Sequence, residues 1–213
     1  MTKRLEIIFS EIPSCRIFAD VGCDHGYISK AMLDSGKCEM AIVSDVSAKC
    51  LSKAERLLRG YISNKKAQAI VSDGFDNLPP SDVSLIAGMG GEEIISIIGK
   101  AITLPNTLVL QPMKNCDKLR RFLVDNGYRI NKDFVFFAEE KYYDLMILEK
   151  GEDTLTQAEE EFGRTNIIER GEAFTNRIRK QIETLENRLK TVNLPKDVSV
   201  KIQKEILRLK EYA

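Results

Sequence analysis

Phe18-Ala19-Asp20-Val21-Gly22-Cys23-Asp24-His25-Gly26-Tyr27 is the stretch on which the reading of the whole chain turns. Before it, Cys15 to Ala19 is an apolar run of strand length; after it, Ile28, Ala31, Met32 and Leu33 recur at helical spacing up to Gly36. A strand, a turn holding two glycines and then a helix is the opening of a nucleotide-binding α/β domain. Gly22 lets the chain turn and lets a ligand lie against bare backbone, while the helix start offers unpaired N–H groups to ligand oxygens. The spacing is not the dinucleotide one, however. That fingerprint requires G-x-G-x-x-G, and here it is Asp20-x-Gly22-x-Asp24-x-Gly26. A carboxylate at the strand end repels a pyrophosphate and suits a cationic or hydroxyl-bearing ligand.

Outward from this turn, strands and helices alternate. Lys3 to Ile12 carries Leu5, Ile8, Phe9 and Ile12 on one helical face and stops at Pro13. Met40 to Asp45 is a second buried strand, and Ser47 caps a helix from Ala48 to Gly60 with Leu51, Ala54, Leu57 and Leu58 toward the core. Ala67 to Val71, Val83 to Ala87 and Thr107 to Leu110 are three more strands, followed respectively by Ser72-Asp73-Gly74, Gly88-Met89-Gly90-Gly91 and Gln111-Pro112-Met113. Glu92 to Ala101 and Cys116 to Asn126 are helices. Tyr128 to Glu140 and Tyr142 to Leu148 have almost nothing between them and predict an antiparallel hairpin. Five βα units and a hairpin predict a Rossmann-like sheet, mostly parallel with one antiparallel strand, over residues 1–150. From Gly151 the pattern is different in kind. Ile178, Ile182, Leu185, Leu189 and Val192 step by four and three like a coiled-coil seam, and Ile202, Ile206 and Leu209 resume the spacing after Leu194-Pro195. Residues 151–213 therefore read as a C-terminal helical hairpin.

In an open parallel sheet the ligand sits beyond the carboxyl ends of the strands. Those ends carry Asp20, Asp45 and Asp73, the loop Ala87-Gly88-Met89-Gly90-Gly91, and Gln111. Asp45 follows Gly22 by 23 residues, where an acid bonds ribose hydroxyls, and Asp73, one strand further out, is placed to accept from an adenine amino group. Any one of these acids could be a helix cap; three on one edge are hard to explain that way.

Composition narrows the class. A hydrophobic content of 43% and a charged content of 30% suit a globular protein. No apolar run approaches the roughly 20 residues that span a bilayer. The N-terminus lacks a signal-peptide layout, so the expected location is cytoplasmic, without a membrane partner. The single histidine, together with five cysteines that form no C-x-x-C pair, argues against a protein-ligated metal and for reduced thiols. Net charge is zero but uneven: Gly163 to Ala213 holds 12 Lys and Arg against 7 Asp and Glu, leaving 20 against 25 in the first 162 residues. A basic appendage follows a mildly acidic domain.

These strand ends resemble those of a class I S-adenosylmethionine-dependent methyltransferase, whose sulfonium cofactor has no pyrophosphate to be repelled. The closer resemblance is to the bacterial tRNA adenine-22 N1-methyltransferases. It is carried by Lys3-Arg4-Leu5, Ala19 to Tyr27, Ile86 to Gly91, Leu108 to Pro112 and Glu139-Glu140-Lys141-Tyr142-Tyr143, stretches spanning the catalytic domain, and the tail shares the family's layout. The departures are Cys23 for serine, Gly26 for alanine, Asp45 for glutamate, and Met113-Lys114 after the Gln-Pro pair. The last of these leaves the substrate side of the pocket open.

The resemblance implies S-adenosyl-L-methionine held by Arg4, Asp20, Gly22, Cys23, His25, Gly26, Asp45, Val46, Asp73, Gly74, Ala87, Gly88, Met89 and Gly90. His25 either bonds the cofactor or caps the helix, and Met89 either packs on the cofactor or fills core. Asp24, with Glu139 or Glu140, would face the cationic product ring, Glu140 foremost. Tyr27 and Tyr143 would stack an extruded base, unless Tyr143 simply packs on the sheet. Gln111 and the tail cations Arg177, Lys180 and Arg188, within a set that also includes Arg164, Arg170, Arg179, Lys190, Lys201, Lys204, Arg208 and Lys210, would contact tRNA. A tail built only for dimerisation or folding competes with that role, and the oligomeric state stays between monomer and weak dimer. A methyltransferase for another RNA, a small molecule or a protein competes with the whole reading, as does a non-catalytic RNA-binding module. A nicotinamide dehydrogenase is disfavoured by the missing middle glycine.

Overall fold

Each apolar run lying between turn residues becomes a strand of one sheet. The computed structural model describes all 213 residues, Met1–Ala213. In chain order they form α1 (Lys3–Glu11), β1 (Cys15–Val21), α2 (Tyr27–Asp34), β2 (Cys38–Asp45), α3 (Ala48–Ser63), β3 (Ala67–Val71), β4 (Val83–Met89), α4 (Gly91–Lys100), β5 (Thr107–Pro112), α5 (Cys116–Asp125), β6 (Tyr128–Ala138) and β7 (Lys141–Lys150). The seven strands lie in the order β3-β2-β1-β4-β5-β7-β6. β1 to β5 pair in parallel, and β7 enters antiparallel to both of its neighbours. Chain order reverses between β1 and β4, the switch point at which open α/β sheets bind ligands.

The central strands read as continuous apolar runs because both sheet faces are covered. One face packs Ile8 of α1, Ile28 and Met32 of α2, and Leu51 and Leu58 of α3. The other packs Ile94 and Ile98 of α4 against Leu119 and Leu123 of α5. Ser47 caps α3 as expected, its side chain accepting from the Cys50 N–H at 3.4 Å. β1, β4 and β5 each run two residues past their predicted ends. Beyond β1, Gly22 and Cys23 donate their N–H groups to the Ser44 carbonyl, each at 2.8 Å, so pairing with β2 continues into the glycine turn. β6 is shorter than predicted, because Glu139 and Glu140 form the two-residue turn, with φ of 51° and 62°. Left-handed backbone at both central positions matches the twist of a tight hairpin.

Four helices follow where two were expected: α6 (Gln157–Phe162), α7 (Arg164–Glu169), α8 (Glu172–Thr191) and α9 (Lys196–Lys210). α6 starts in a reciprocal capping box between Thr156 and Glu159, a T-x-x-E signature readable in the sequence. Ile178 and Ile182 of α8 are buried with Ile202, Ile206 and Leu209 of α9, Phe162, Phe174 and Val135 of β6. Val192 is not part of the seam; it caps α8 and is 49% exposed.

The base of the tail is fixed by charge as well as by packing. Arg120 of α5 is fully buried and donates to Asp133 at 2.8 Å, to Asp144 at 3.4 Å and to the Glu160 and Glu161 carbonyls at 3.1 and 3.2 Å. Arg177 of α8 donates to the other oxygen of Asp144 at 2.7 Å. Burial works against ionising Asp144, yet Arg177 and Arg120 together hold its carboxyl below the usual range.

Candidate active site

The ends of β1 and β4 part around a cavity of about 210 Å³, whose walls include Arg4, Asp20, Gly22, Cys23, Asp24, His25, Gly26, Tyr27 and Ala87. Gly22 turns with φ 76°, and the space a Cβ would need there is taken by Met89, whose Cε would lie 1.9 Å away. Gly26, at φ 75°, starts α2 without any side chain bonding its first-turn N–H groups. Gly88 (φ 81°) brings bare backbone to the guanidinium of Arg4, with 3.6 Å between a Cβ position and Nη1.

Asp20 lies at the bottom, accepting from Ser29 Oγ at 3.0 Å and from the Cys23 thiol. Burial raises its carboxyl from 3.8 to about 6, against the lowering effect of those two bonds. Burial and the Asp20 charge push the Cys23 thiol far up, so it sits there as a small neutral donor rather than a nucleophile. A carboxyl pKa that is raised on folding means the native state keeps a proton that the unfolded state releases. Stability then falls as pH rises through the window from 3.8 to about 6. Titrated without ligand, the chain should lose up to about 3 kcal/mol across that window relative to Asp20→Asn. A wild-type-minus-variant difference that stays flat with pH would contradict this.

Asp24 stands at the mouth, bonded by Lys53 Nζ at 2.6 Å and by His25 Nδ1 at 2.6 Å, and the Lys53 bond holds its carboxyl below the ordinary range. His25 stacks on Tyr27 with centroids 5.3 Å apart and planes 6° apart, and Tyr27 is 47% exposed. Outside the cavity wall, on the same edge of the sheet, Asp45 at the end of β2 accepts from the Ser47 N–H through Oδ1 at 2.7 Å, and Val46 beside it is exposed. Asp73 follows β3 and is open to solvent, 3.7 Å from Lys100 Nζ; Gly74, with φ 61°, turns against Ile97. Gly90 lies under the stem of Lys114.

No group of three or more His, Cys, Asp or Glu side chains is placed to hold a metal. No helix is long and apolar enough to cross a membrane. The donor set is carboxylate and bare backbone, the complement of a cationic, hydroxyl-bearing molecule.

Residues 1–146 match the methyltransferase-domain family profile. The chain belongs to that family. Among similar proteins, a candidate tRNA methyltransferase of Mycoplasma pneumoniae is 34% identical over 137 residues, 62% of this chain and 62% of that protein. The tRNA (adenine(22)-N(1))-methyltransferase of Bacillus subtilis is 27% identical, the match covering 71% of this chain and 66% of the relative. The chain thus spans somewhat less than two thirds of the length of each of these two relatives. A candidate tRNA (m1A22) methyltransferase of Streptococcus pneumoniae, solved in complex with S-adenosyl-L-methionine, superposes with a TM-score of 0.88 at 26% identity, covering 100% of this chain and 99% of that one. The sheet and the C-terminal helices are thus a methyltransferase architecture.

Several residues of this methyltransferase-family chain stand elsewhere than the sequence suggests. Gln111, expected at the substrate, is fully buried; its Oε1 accepts from Arg4 Nη1 at 2.9 Å and its amide donates to the Pro112 carbonyl at 3.1 Å. It positions Arg4 and has no surface left for a base. Tyr143 is 7% exposed and stacks on Phe136 at 5.4 Å, with the Arg4 guanidinium 5.6 Å from its ring centroid, so it packs on the sheet. Arg177 is held by Asp144, Arg164 by Asp153 and Glu159, and Arg208 by Glu161 and Glu205. Lys180 and Arg188 are exposed on α8 without an ion-pair partner. Glu139 accepts from the Arg4 N–H at 3.3 Å, whereas Glu140 is exposed at the hairpin tip. Sequence reading missed Lys53 and the Arg120 centre. Lys53 had a signal, a cation on the α3 face that follows a strand-end acid; Arg120 had none.

Proposed function

We propose that this chain transfers a methyl group from S-adenosyl-L-methionine to N1 of an adenine in tRNA, at position 22. The observation that carries the reading is the sheet edge: Asp20, Asp45 and Asp73 stand at or just beyond the ends of the adjacent strands β1, β2 and β3, and Asp20 lines a glycine-turned cavity together with Arg4 and His25. The B. subtilis enzyme, matched over 157 residues, supports the choice of target. Residues 1–150 form the catalytic unit, residues 151–213 grip the RNA, and the free thiols suit a reducing cytoplasm.

When bound, S-adenosyl-L-methionine supplies an electrophilic methyl on a sulfonium sulfur. Asp45 would accept from its ribose hydroxyls and Asp73 from its adenine amino group. Gly22 would line the pocket beside Asp20 with Met89 filling its Cβ space, and Gly88 would bring bare backbone up to Arg4. Adenine N1 carries an in-plane lone pair and is unprotonated near neutral pH, so no residue needs to strip a proton before transfer. The chain's task is to hold N1 in line with the methyl carbon, which is catalysis by proximity and orientation. Because N1 lies on a pairing edge, the base leaves its stack, and the His25–Tyr27 pair offers a ring for it to lie on. As positive charge arrives on the base, the carboxylates of Asp24 and Glu140 stabilise it.

Purified chain incubated with methyl-labelled S-adenosyl-L-methionine should label a tRNA transcript bearing adenine at position 22 and leave its A22→G counterpart unlabelled. Primer extension should then stop at that position. Transfer to another nucleotide, or to none, overturns the reading. Asp45→Ala should weaken cofactor affinity by about 1.5–3 kcal/mol, the range for hydrogen bonds to a charged group. Unchanged affinity in a calorimetric titration of the folded variant would remove Asp45 from the site.

A further inference from the structure

α3 carries four cations, Lys49, Lys53, Arg56 and Arg59, and one acid, Glu55, in the half of the molecule with excess negative charge. Their spacings of four, three and three residues keep them on the side of α3 opposite buried Leu51, Ala54 and Leu58. Lys49, Arg56 and Arg59 are exposed, as are Lys65 and Lys66 just beyond the helix. Many cations elsewhere in the catalytic domain are paired, Lys30 with Asp34, Lys118 with Glu92, Arg129 with Glu149 and Lys132 with Glu11, and the exposed unpaired ones, Lys3, Arg16, Lys114, Lys141 and Lys150, are scattered over separate elements rather than gathered on one helix face. On α3 only Lys53 is paired, and its partner is Asp24 at the mouth of the cavity. From there the basic strip runs toward the outer strand β3, where Arg56 and Arg59 line a shallow groove with Ile62 and Ala69.

We propose that this face of α3 is a second surface for the tRNA backbone, an inference that rests on the tRNA reading above. Unpaired cations with little interspersed acid are the electrostatic footprint of a phosphate-tracking surface. Position adds a second argument. β3 is one edge of the sheet and β6, on which the tail packs, is the other, with the cavity at β1 and β4 between them. Six strand spacings of about 4.8 Å separate the two edges by roughly 29 Å. A folded RNA held at both edges has its target nucleotide fixed over the centre; one held by the tail alone could pivot there. Double-stranded RNA is recognised largely through shape and phosphate, which a helix face of this kind can read without base contacts.

The test is the full-length variant Arg56→Gln/Arg59→Gln, titrated with tRNA over a salt series and assayed for methyl transfer. Both side chains are exposed and outside the cavity, so cofactor affinity and kcat at saturating tRNA should stay at wild-type values. The log–log salt slope for tRNA binding should flatten by about 1.8, near 0.9 per lost phosphate contact, and KM for tRNA should rise roughly 10- to 30-fold at about 0.15 M salt. Glu55→Lys should move both quantities the other way. Slope and KM equal to wild type in the Gln variant, in a wild type that does methylate tRNA, overturn the α3 surface and leave the function standing. A wild type that methylates no tRNA removes the function and the α3 surface together.

Discussion

Replacing Arg120 with leucine is expected to lower the stability of the folded chain by about 3–5 kcal/mol, the loss seen when one partner of a buried ion pair is removed. Asp133 and Asp144 stay buried after the change, 0% and 8% exposed. Asp144 keeps Arg177, but Asp133 keeps only the Thr165 N–H at 3.0 Å and must hold its charge otherwise unanswered. The Glu160 and Glu161 carbonyls lose their donor as well. Lysine should not rescue the site, because four acceptors in different directions need the planar, multi-donor guanidinium. For a chain of this size the melting temperature should fall by roughly 6–20 °C. The acid side gives an independent check. The folded carboxyl of Asp144 lies below its unfolded value, so its contribution is present above the unfolded pKa and is lost as pH falls through the folded one. Without Arg120 that acid-side loss should be shallower. A loss below about 1 kcal/mol would mean that the buried charges find other partners, contrary to the packing around them.

The βα order was legible because parallel strands covered on both faces are short apolar runs, and here each one runs into Asp, Gly or Pro. The strand-end acids were legible for the same reason: a strand end followed by a turn fixes where Asp20, Asp45 and Asp73 stand. What pairs across the fold was not. Gln111 and Tyr143 looked available because their neighbours in sequence are turn and site residues. Their fate is decided by Arg4, more than a hundred residues away in the chain. Arg177 counted toward a basic tail, but a tally of charges cannot register Asp144, which enters through β7. α6 and α7 carry six residues each, too few to show a helical seam, and only the Thr156–Glu159 cap announces the first of them. Local pattern therefore located the strand ends, while the assignment of individual side chains to ligand or to core depended on long-range partners.

That distinction decides which tail residues can test RNA binding. Arg177 cannot, since neutralising it disturbs Asp144 and the Arg120 centre, mixing stability with affinity. Lys180, Arg188 and Lys190 can: all three are exposed on α8 and none has an ion-pair partner. Changing all three to glutamine should flatten the salt dependence of tRNA binding by about 2.7 log–log units, near 0.9 per contact. At about 0.15 M salt the affinity should drop roughly 100-fold, or about 2.8 kcal/mol at about 1.4 per factor of ten. Surface changes of this kind move stability by at most about 0.5 kcal/mol, so the melting temperature should hold. A tail that only folds or dimerises predicts the reverse, an unchanged salt slope with any effect confined to melting or self-association. Titrations at four or five salt concentrations, run beside thermal melts of the same protein, separate the two. A variant with the wild-type slope would strip the tail of its RNA role and leave α3 and the cavity rim to hold the substrate.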